Sequence, residues 1–171
     1  MATNLQFLKS QNVQNGSLTL EITDCFNANY DVYKIIFSGM QLSITNEHYP
    51  AFRFLDNTDT EISSANYDSA ALIKLSSAYQ EYRVTNDNEF HRLFIMAATT
   101  TGQANCEMTI FNPFNSGSYT FMKSNDSSTF ALDGRNGIGV LKLAQSVTGF
   151  KLTNLSGYLM GMGKVSVYGV K

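Results

Sequence analysis

Apolar and polar residues alternate with a period of two along much of this chain, and no segment sustains the i, i+3, i+4 apolar spacing of an amphipathic helix. In residues 17–23 (SLTLEIT), Leu18, Leu20 and Ile22 point one way and Thr19, Glu21 and Thr23 the other, which predicts a half-buried strand. Residues 30–40 (YDVYKIIFSGM) are rich in β-branched and aromatic side chains and predict a second strand, with Gly39 marking a bulge or an end. Ala51–Leu55 sets Phe52 and Phe54 on one face and Arg53 on the other, and the polar run at 56–64 then reads as a turn. Further strands are expected over 70–75, 91–97, 106–111, 119–122, 146–153 and Lys164–Val170. Pro113 and Gly117 punctuate the connection between 111 and 119. At most a single turn of helix is expected, near Gln80.

About eight to ten short strands separated by turn residues predict an all-β fold, an antiparallel β-sandwich or jelly roll. The stretch from Gly137 onward, with glycine breaks between short alternating segments, places the closing strand at Lys164–Val170 and ties that end into a sheet. Residues 1–16 are polar and irregular and read as an N-terminal arm with a role in attachment. Residues 17–171 read as a single sandwich domain, and a chain of 171 residues favours one domain. A domain of this size buries roughly 70% of its unfolded surface, enough for a core without metal or disulfide support.

Charged residues make up only 15% of the chain, below the usual value of about 25%, and Ser, Thr and Asn take their place. Such a surface suits contact with protein or sugar. The net charge of −2 and the lack of any Lys/Arg cluster argue against nucleic-acid binding. No apolar run approaches the roughly 20 residues of a membrane helix, so membrane insertion is not expected. The first residues show neither a charged nor an apolar leader segment, so synthesis in a cytoplasm is expected. Cys25 and Cys106 are expected to be buried free thiols, because nothing in the sequence supports pairing.

His48 and His91 are the only histidines, and without a GxSxG elbow neither reads as part of a nucleophilic triad. Asp56, Asp59 and Glu61, beside Asn57, offer hard oxygen donors for calcium but miss the EF-hand spacing, and solvated turn capping is the plainer reading. Glu21, Glu81, Glu89 and Glu107 are candidates for a glycosidase carboxylate pair by type alone, and only Glu21 and Glu107 fall in strand patterns. Gly157, Gly161 and Gly163 precede Lys164, but Tyr158 and Val165 stand where a phosphate loop needs glycine and Ser or Thr. Tyr67, Tyr79 and Tyr82 fall near loops and could stack on sugars or fill an interface. Two glycosylation sequons, at Asn125 and Asn154, read as chance matches. No catalytic, cofactor or metal residue is assigned.

The phrases YDVYKIIFSGMQ, FRFLD, NYDSA, TIFNPF, GIGVLK with SVTGFKL, and KVSVYGVK resemble small β-sandwich virion proteins of tailed bacteriophages, such as those of aquatic and cyanobacterial hosts. The resemblance runs over residues 30–171, and its motifs are structural. It implies a non-enzymatic virion protein on the particle surface, either a capsid decoration or part of a tail appendage. It further implies partners that are copies of itself and other virion proteins. A module recognising a host-surface glycan is the alternative, and a glycan-degrading enzyme on the same fold is a third reading.

Overall fold

The structure is a computed structural model that describes residues 4–43, 48–96, 102–129, 133–153 and 157–171. The described residues form eleven strands and no helix, and every strand pairing is antiparallel. The strands are β1 (Leu5–Asn12), β2 (Thr19–Ile22), β3 (Val32–Met40), β4 (Ala51–Leu55), β5 (Tyr67–Lys74) and β6 (Tyr79–Asp87), followed by β7 (Ala104–Phe111), β8 (Thr120–Ser128), β9 (Gly134–Leu141), β10 (Gly149–Thr153) and β11 (Lys164–Val170). Eight of them make one sheet in the order β1-β11-β3-β7-β8-β9-β5-β6, and the remaining three make a second in the order β2-β10-β4. The fold is thus the antiparallel β-sandwich that the alternation predicts, with one strand more than the upper expectation.

The two layers meet through aromatic side chains. Phe150 on β10 stacks on Phe52 of β4 at 5.1 Å and meets Phe37 of β3, across the sandwich, edge-on at 6.1 Å. Phe26, Phe54 and Tyr33 close the same cluster. Burying this much aromatic surface is the main stabilising contribution, because each such ring removes on the order of 150–250 Å² from water. The predicted alternation in 149–153 holds: Phe150 and Leu152 are buried, whereas Lys151 and Thr153 are only partly so. Gly39 sits at φ 62, where the β3–β7 register shifts, so the expected bulge is present.

Residues 89–96 complete the second layer without being a strand. The sequence pattern predicts one over 91–97; residue 97 lies outside the described residues, and 91–95 bend instead. Phe90 exchanges two backbone hydrogen bonds of 2.9 Å with Phe52, and Met96 exchanges bonds of 2.9 and 3.3 Å with His48. Between these anchors the segment turns onto the inner face of the large sheet. Ser124 Oγ donates to the Leu93 carbonyl at 2.8 Å, and the Ile95 N–H donates to Asp126 Oδ2 at 2.8 Å. Side chains on β8 thus supply the bonds a neighbouring strand would have supplied. Close approach is possible because β9 carries glycines there. A Cβ at Gly139 would lie 2.5 Å from the Phe90 ring, and one at Gly137 would lie 2.8 Å from Leu93.

Three further expectations need correction. Residues 5–12, read as part of an irregular arm, form β1, which pairs with β11 along its length. Gln80, read as a helical turn, lies in β6. The β10 strand begins at Gly149, while Val147 is buried in the preceding loop and its N–H donates to the Pro113 carbonyl at 2.7 Å. Both cysteines are free and buried, as expected.

Candidate binding face

The polarity of β8 and β9 is inverted in part: Lys123, Asn125, Ser127 and Asn136 face outward in the ordinary way, but the inner face is unusually polar and some large apolar residues point out. On β8 the inward residues are Thr120, Met122, Ser124, Asp126 and Ser128, and on β9 they are Arg135, Gly137, Gly139 and Leu141. The outward residues include Phe121, Ile138 and Val140. Phe121 and Ile138 therefore face water where polar side chains are expected, and Ser124, Asp126 and Arg135 lie inside. Phe121 is 47% exposed and Ile138 is 59% exposed.

Three adjoining hollows open on this outer face, and Ile138 lines all of them. The most apolar, about 490 Å³, runs between Phe111, Phe121, Ile138 and Val140, with Arg83 and Lys123 on its rim. A second, about 510 Å³, lies between Leu72, Glu81, Arg83 and Asn136. The third, about 420 Å³, is more polar and is lined by Glu107, Thr109, Lys123, Asn125 and Asn136. The Asn136 amide donates to Asn125 Oδ1 at 3.0 Å, and Lys34 pairs with Glu107. Together the hollows form a trough across β7, β8, β9, β5 and β6, apolar along its middle and bordered by amides and charges. An apolar centre with a polar rim is the composition of many interaction surfaces.

Behind the trough, on the inner face, lies a buried charged cluster. Arg135 is fully buried, donates to Asp133 Oδ2, and lies with its guanidinium carbon 4.1 Å from the centre of the Tyr49 ring. Asp126 stands opposite Arg135 in the β8–β9 register. Burial pushes its carboxyl up to about 6, against the Arg135 charge and the Ile95 N–H, which hold it down. Burial alone would lower the Arg135 pKa, but the Asp133 hydrogen bond and charge, with Tyr49 nearby, raise it overall. Tyr49 is also approached by Arg92 at 5.3 Å, by His91 at 6.1 Å and by His48 at 6.3 Å. Both imidazoles are lowered by burial, and His91 is lowered further by Arg92 and His48.

His48 and His91 come together around Tyr49 and share it with Arg92 and Arg135. Asp56 Oδ1 accepts from the N–H groups of Thr58 and Thr60, capping its own turn. Glu61 is held by Arg53 at 2.9 Å and Lys151 at 2.6 Å, so Asp56 and Glu61 do not converge. Glu89 is buried against Arg53 at 2.9 Å, Glu21 lies 3.6 Å from Lys151 on the small sheet, and Glu107 lies on the outer face of the large one. Glu21 and Glu107 therefore stand on different sheets. Gly157 and Gly163 have positive φ values of 75° and 144°, as turns before β11 require. Tyr67 is a core residue: its hydroxyl donates to the Ile62 carbonyl at 2.7 Å and accepts from Phe54 N–H at 3.1 Å. Tyr79 is 77% exposed on β6, and Tyr82 is half-buried near Arg92, 5.5 Å from its guanidinium carbon. Asn125 lies on the trough, whereas the second sequon falls outside the described residues.

The fold and this face define a β-sandwich with an apolar trough on its large sheet. No family model and no curated protein matches the chain. Solved structures with some likeness include lactose- and MES-liganded congerin II, at 13% identity over 84% of this chain and 99% of that one, with a TM-score of 0.21. The structure of infectious bursal disease virus Gx strain aligns at 12% identity over 99% of this chain and 40% of that one, with a TM-score of 0.20. The VP2 subviral particle of infectious bursal disease virus aligns at 12% identity over 98% and 41%, with a TM-score of 0.19. At these TM-scores the likenesses carry no weight, and the fold rests on the strand pairing above.

Proposed function

We propose that the chain is a non-enzymatic structural protein of a phage particle surface, a capsid decoration or part of a tail appendage, and that the trough on its large sheet is the face that packs against other particle proteins. The inverted polarity of β8 and β9 carries this reading. A side chain such as Ile138 gains nothing for the fold by facing outward, but it contributes on the order of 25 cal/mol for each Å² that a partner removes from water. The resemblance of residues 30–171 to β-sandwich virion proteins supplies the context, in which the protein is made in the host cytoplasm and resides in the virion. Mass spectrometry of purified particles that encode this chain should find it at a fixed ratio to the major particle protein. An Ile138→Glu, Phe121→Glu variant should fold normally and be missing from the particle. Absence of the native chain from particles, or normal incorporation of the variant, would count against the reading.

A second reading, recognition of a host-surface glycan, is favoured by the polar end of the trough. Asn125, Asn136, Thr109 and Glu107 present donors and acceptors beside the apolar Ile138, a combination that suits sugar hydroxyls set on a carbon ring. A glycan array probed with the native protein and with an Asn136→Ala variant tests it. Binding to one glycan class that the variant loses would favour this reading over pure packing.

A further inference from the structure

The pairing registers set outward side chains of the large sheet side by side, so its outer face is laid out in rows that cross the strands. One row is apolar: Val140 of β9, Phe121 of β8, Phe111 of β7, Val32 of β3 and Val170 of β11 are successive register partners, each exposed or half-buried. The adjoining row holds Arg83 of β6, Ala70 of β5, Ile138 of β9 and Lys123 of β8, again successive partners. Residues of both rows line the apolar hollow of about 490 Å³. Its charges are not balanced. Asp68, which ends the apolar row beside Val140, is held by Lys142 at 2.8 Å. Arg83 and Lys123 have no ion-pair partner among the described residues. Glu81 lines the second hollow and not this one, and Glu107, in the third, is held by Lys34. The apolar hollow thus has two uncompensated cations on its rim, and its own carboxylate is already neutralised.

We propose that this hollow takes an acidic segment of a neighbouring particle protein: an extended stretch of the form acid–x–apolar–x–acid, laid across the strands with its carboxylates on Lys123 and Arg83 and its apolar side chain in the hollow between them. The proposal rests on the packing reading of the trough and names the chemistry of the partner. Arg83 and Lys123 stand three strands apart, roughly 14 Å at the usual separation of about 4.8 Å between strands. Residues i and i+4 of an extended chain are also about 13–14 Å apart and point the same way, with i+2 facing that way between them. The apolar middle supplies affinity as it leaves water, and the two cations select and steer a partner of opposite charge.

The test is zero-length coupling with a water-soluble carbodiimide on purified particles that encode this chain, followed by digestion and mass spectrometry. The reagent joins an amine to a carboxyl group in contact with it, with loss of water. Lys123 should be found linked to an Asp or Glu of a different particle protein, with an apolar residue two positions from that acid. A Lys123→Glu, Arg83→Glu variant should fold, and its incorporation should drop by about tenfold or more, because like charges then face each other. A Lys123→Arg, Arg83→Lys variant, which keeps both charges, should incorporate normally. Lys123 left uncoupled in assembled particles, or joined only to this chain or to a sugar acid, overturns the proposal. So does normal incorporation of the charge-reversed variant, and the Ile138→Glu, Phe121→Glu variant then shows which reading has failed. If the apolar variant is missing from particles, the packing face stands and the acidic partner falls; if it too is incorporated, both fall.

Discussion

Arg135 shows how inverted polarity is sustained at the level of single side chains. It is fully buried and paired with Asp133, yet its Nε and Nη1, and the Oδ1 atoms of Asp126 and Asp133, have no hydrogen-bond partner among the described residues. Buried groups left in this state cost stability. Asp126 makes the cost testable. Its carboxyl is pushed from 3.8 to about 6, a difference worth about 3 kcal/mol between its protonation states. An acid whose folded pKa is raised holds its proton more tightly when folded. Its contribution to stability is complete below the ordinary pKa and is lost as the pH climbs through 6. Asp126→Asn keeps an oxygen for the Ile95 N–H and removes the charge, so it should be the more stable form at about pH 8, by on the order of 2–3 kcal/mol, with little advantage near pH 4. His48 and His91, lowered by burial, act in the opposite sense, but they are common to both proteins and cancel in the difference. Urea unfolding of both proteins across that range checks this, and parallel curves would contradict it. Phe150 represents the opposite kind of buried residue. It has no exposure and touches rings from both layers, so Phe150→Ala should cost about 3–5 kcal/mol, read as a fall in melting temperature.

At the level of elements, legibility followed the side chains that face the core. Strands β3, β4 and β11 could be read because bulky apolar residues fall on alternate positions and point inward. The later part of β8 and most of β9 could not, because Ser124, Asp126, Gly137 and Gly139 occupy the inward positions. Period-two reasoning assumes that the apolar set marks the buried face. Strand β1 contributes only Leu8 to the core, so its sequence carries almost no alternation to detect. Residues 93–96 look like a strand because all four are apolar and buried, yet Leu93 and Ile95 bond to side chains of β8, and the backbone pairing is a single bridge from Met96 to His48 rather than a ladder. The trough was illegible for the same reason: an outward Ile138 looks like a core residue until its strand is oriented. What sequence could have signalled is the pair of glycines flanking Ile138, since glycine inside a strand marks a close approach. Gly139→Ala tests that explanation. Its Cβ would meet a Phe90 ring held by Tyr67 at 4.8 Å and Phe54 at 5.9 Å, so the ring has no room to yield. The substitution should cost about 1–3 kcal/mol and loosen residues 89–96, seen as faster exchange of the Phe90 and Ile95 amides. Unchanged exchange would mean that the segment does not depend on the glycine.

For the whole molecule, the two layers hold together without covalent help. Burial pushes both thiols well above their ordinary pKa, so neither should react in the native protein; a disulfide-exchange reagent should find none before denaturation and two after it. Because the sandwich is closed by β2-β10-β4 and residues 89–96 over the centre of the large sheet, its outermost strand should be separable from the rest. Among the described strands β1 pairs with β11, and Leu8 is its side chain packed against the core. Lys9 also ties it inward, by its bond to the Thr23 carbonyl. Deleting residues 1–12 therefore removes one ladder and one partly buried leucine, while β11 keeps its full pairing with β3 and its buried Val165 and Val167. The truncated chain should unfold in a single cooperative transition at a lower melting temperature, with the aromatic near-ultraviolet dichroism of Phe26, Tyr33, Phe37 and Phe150 retained. Loss of that signal at low temperature would show that the edge strand is needed to hold the layers together, and that the large sheet cannot end at β11.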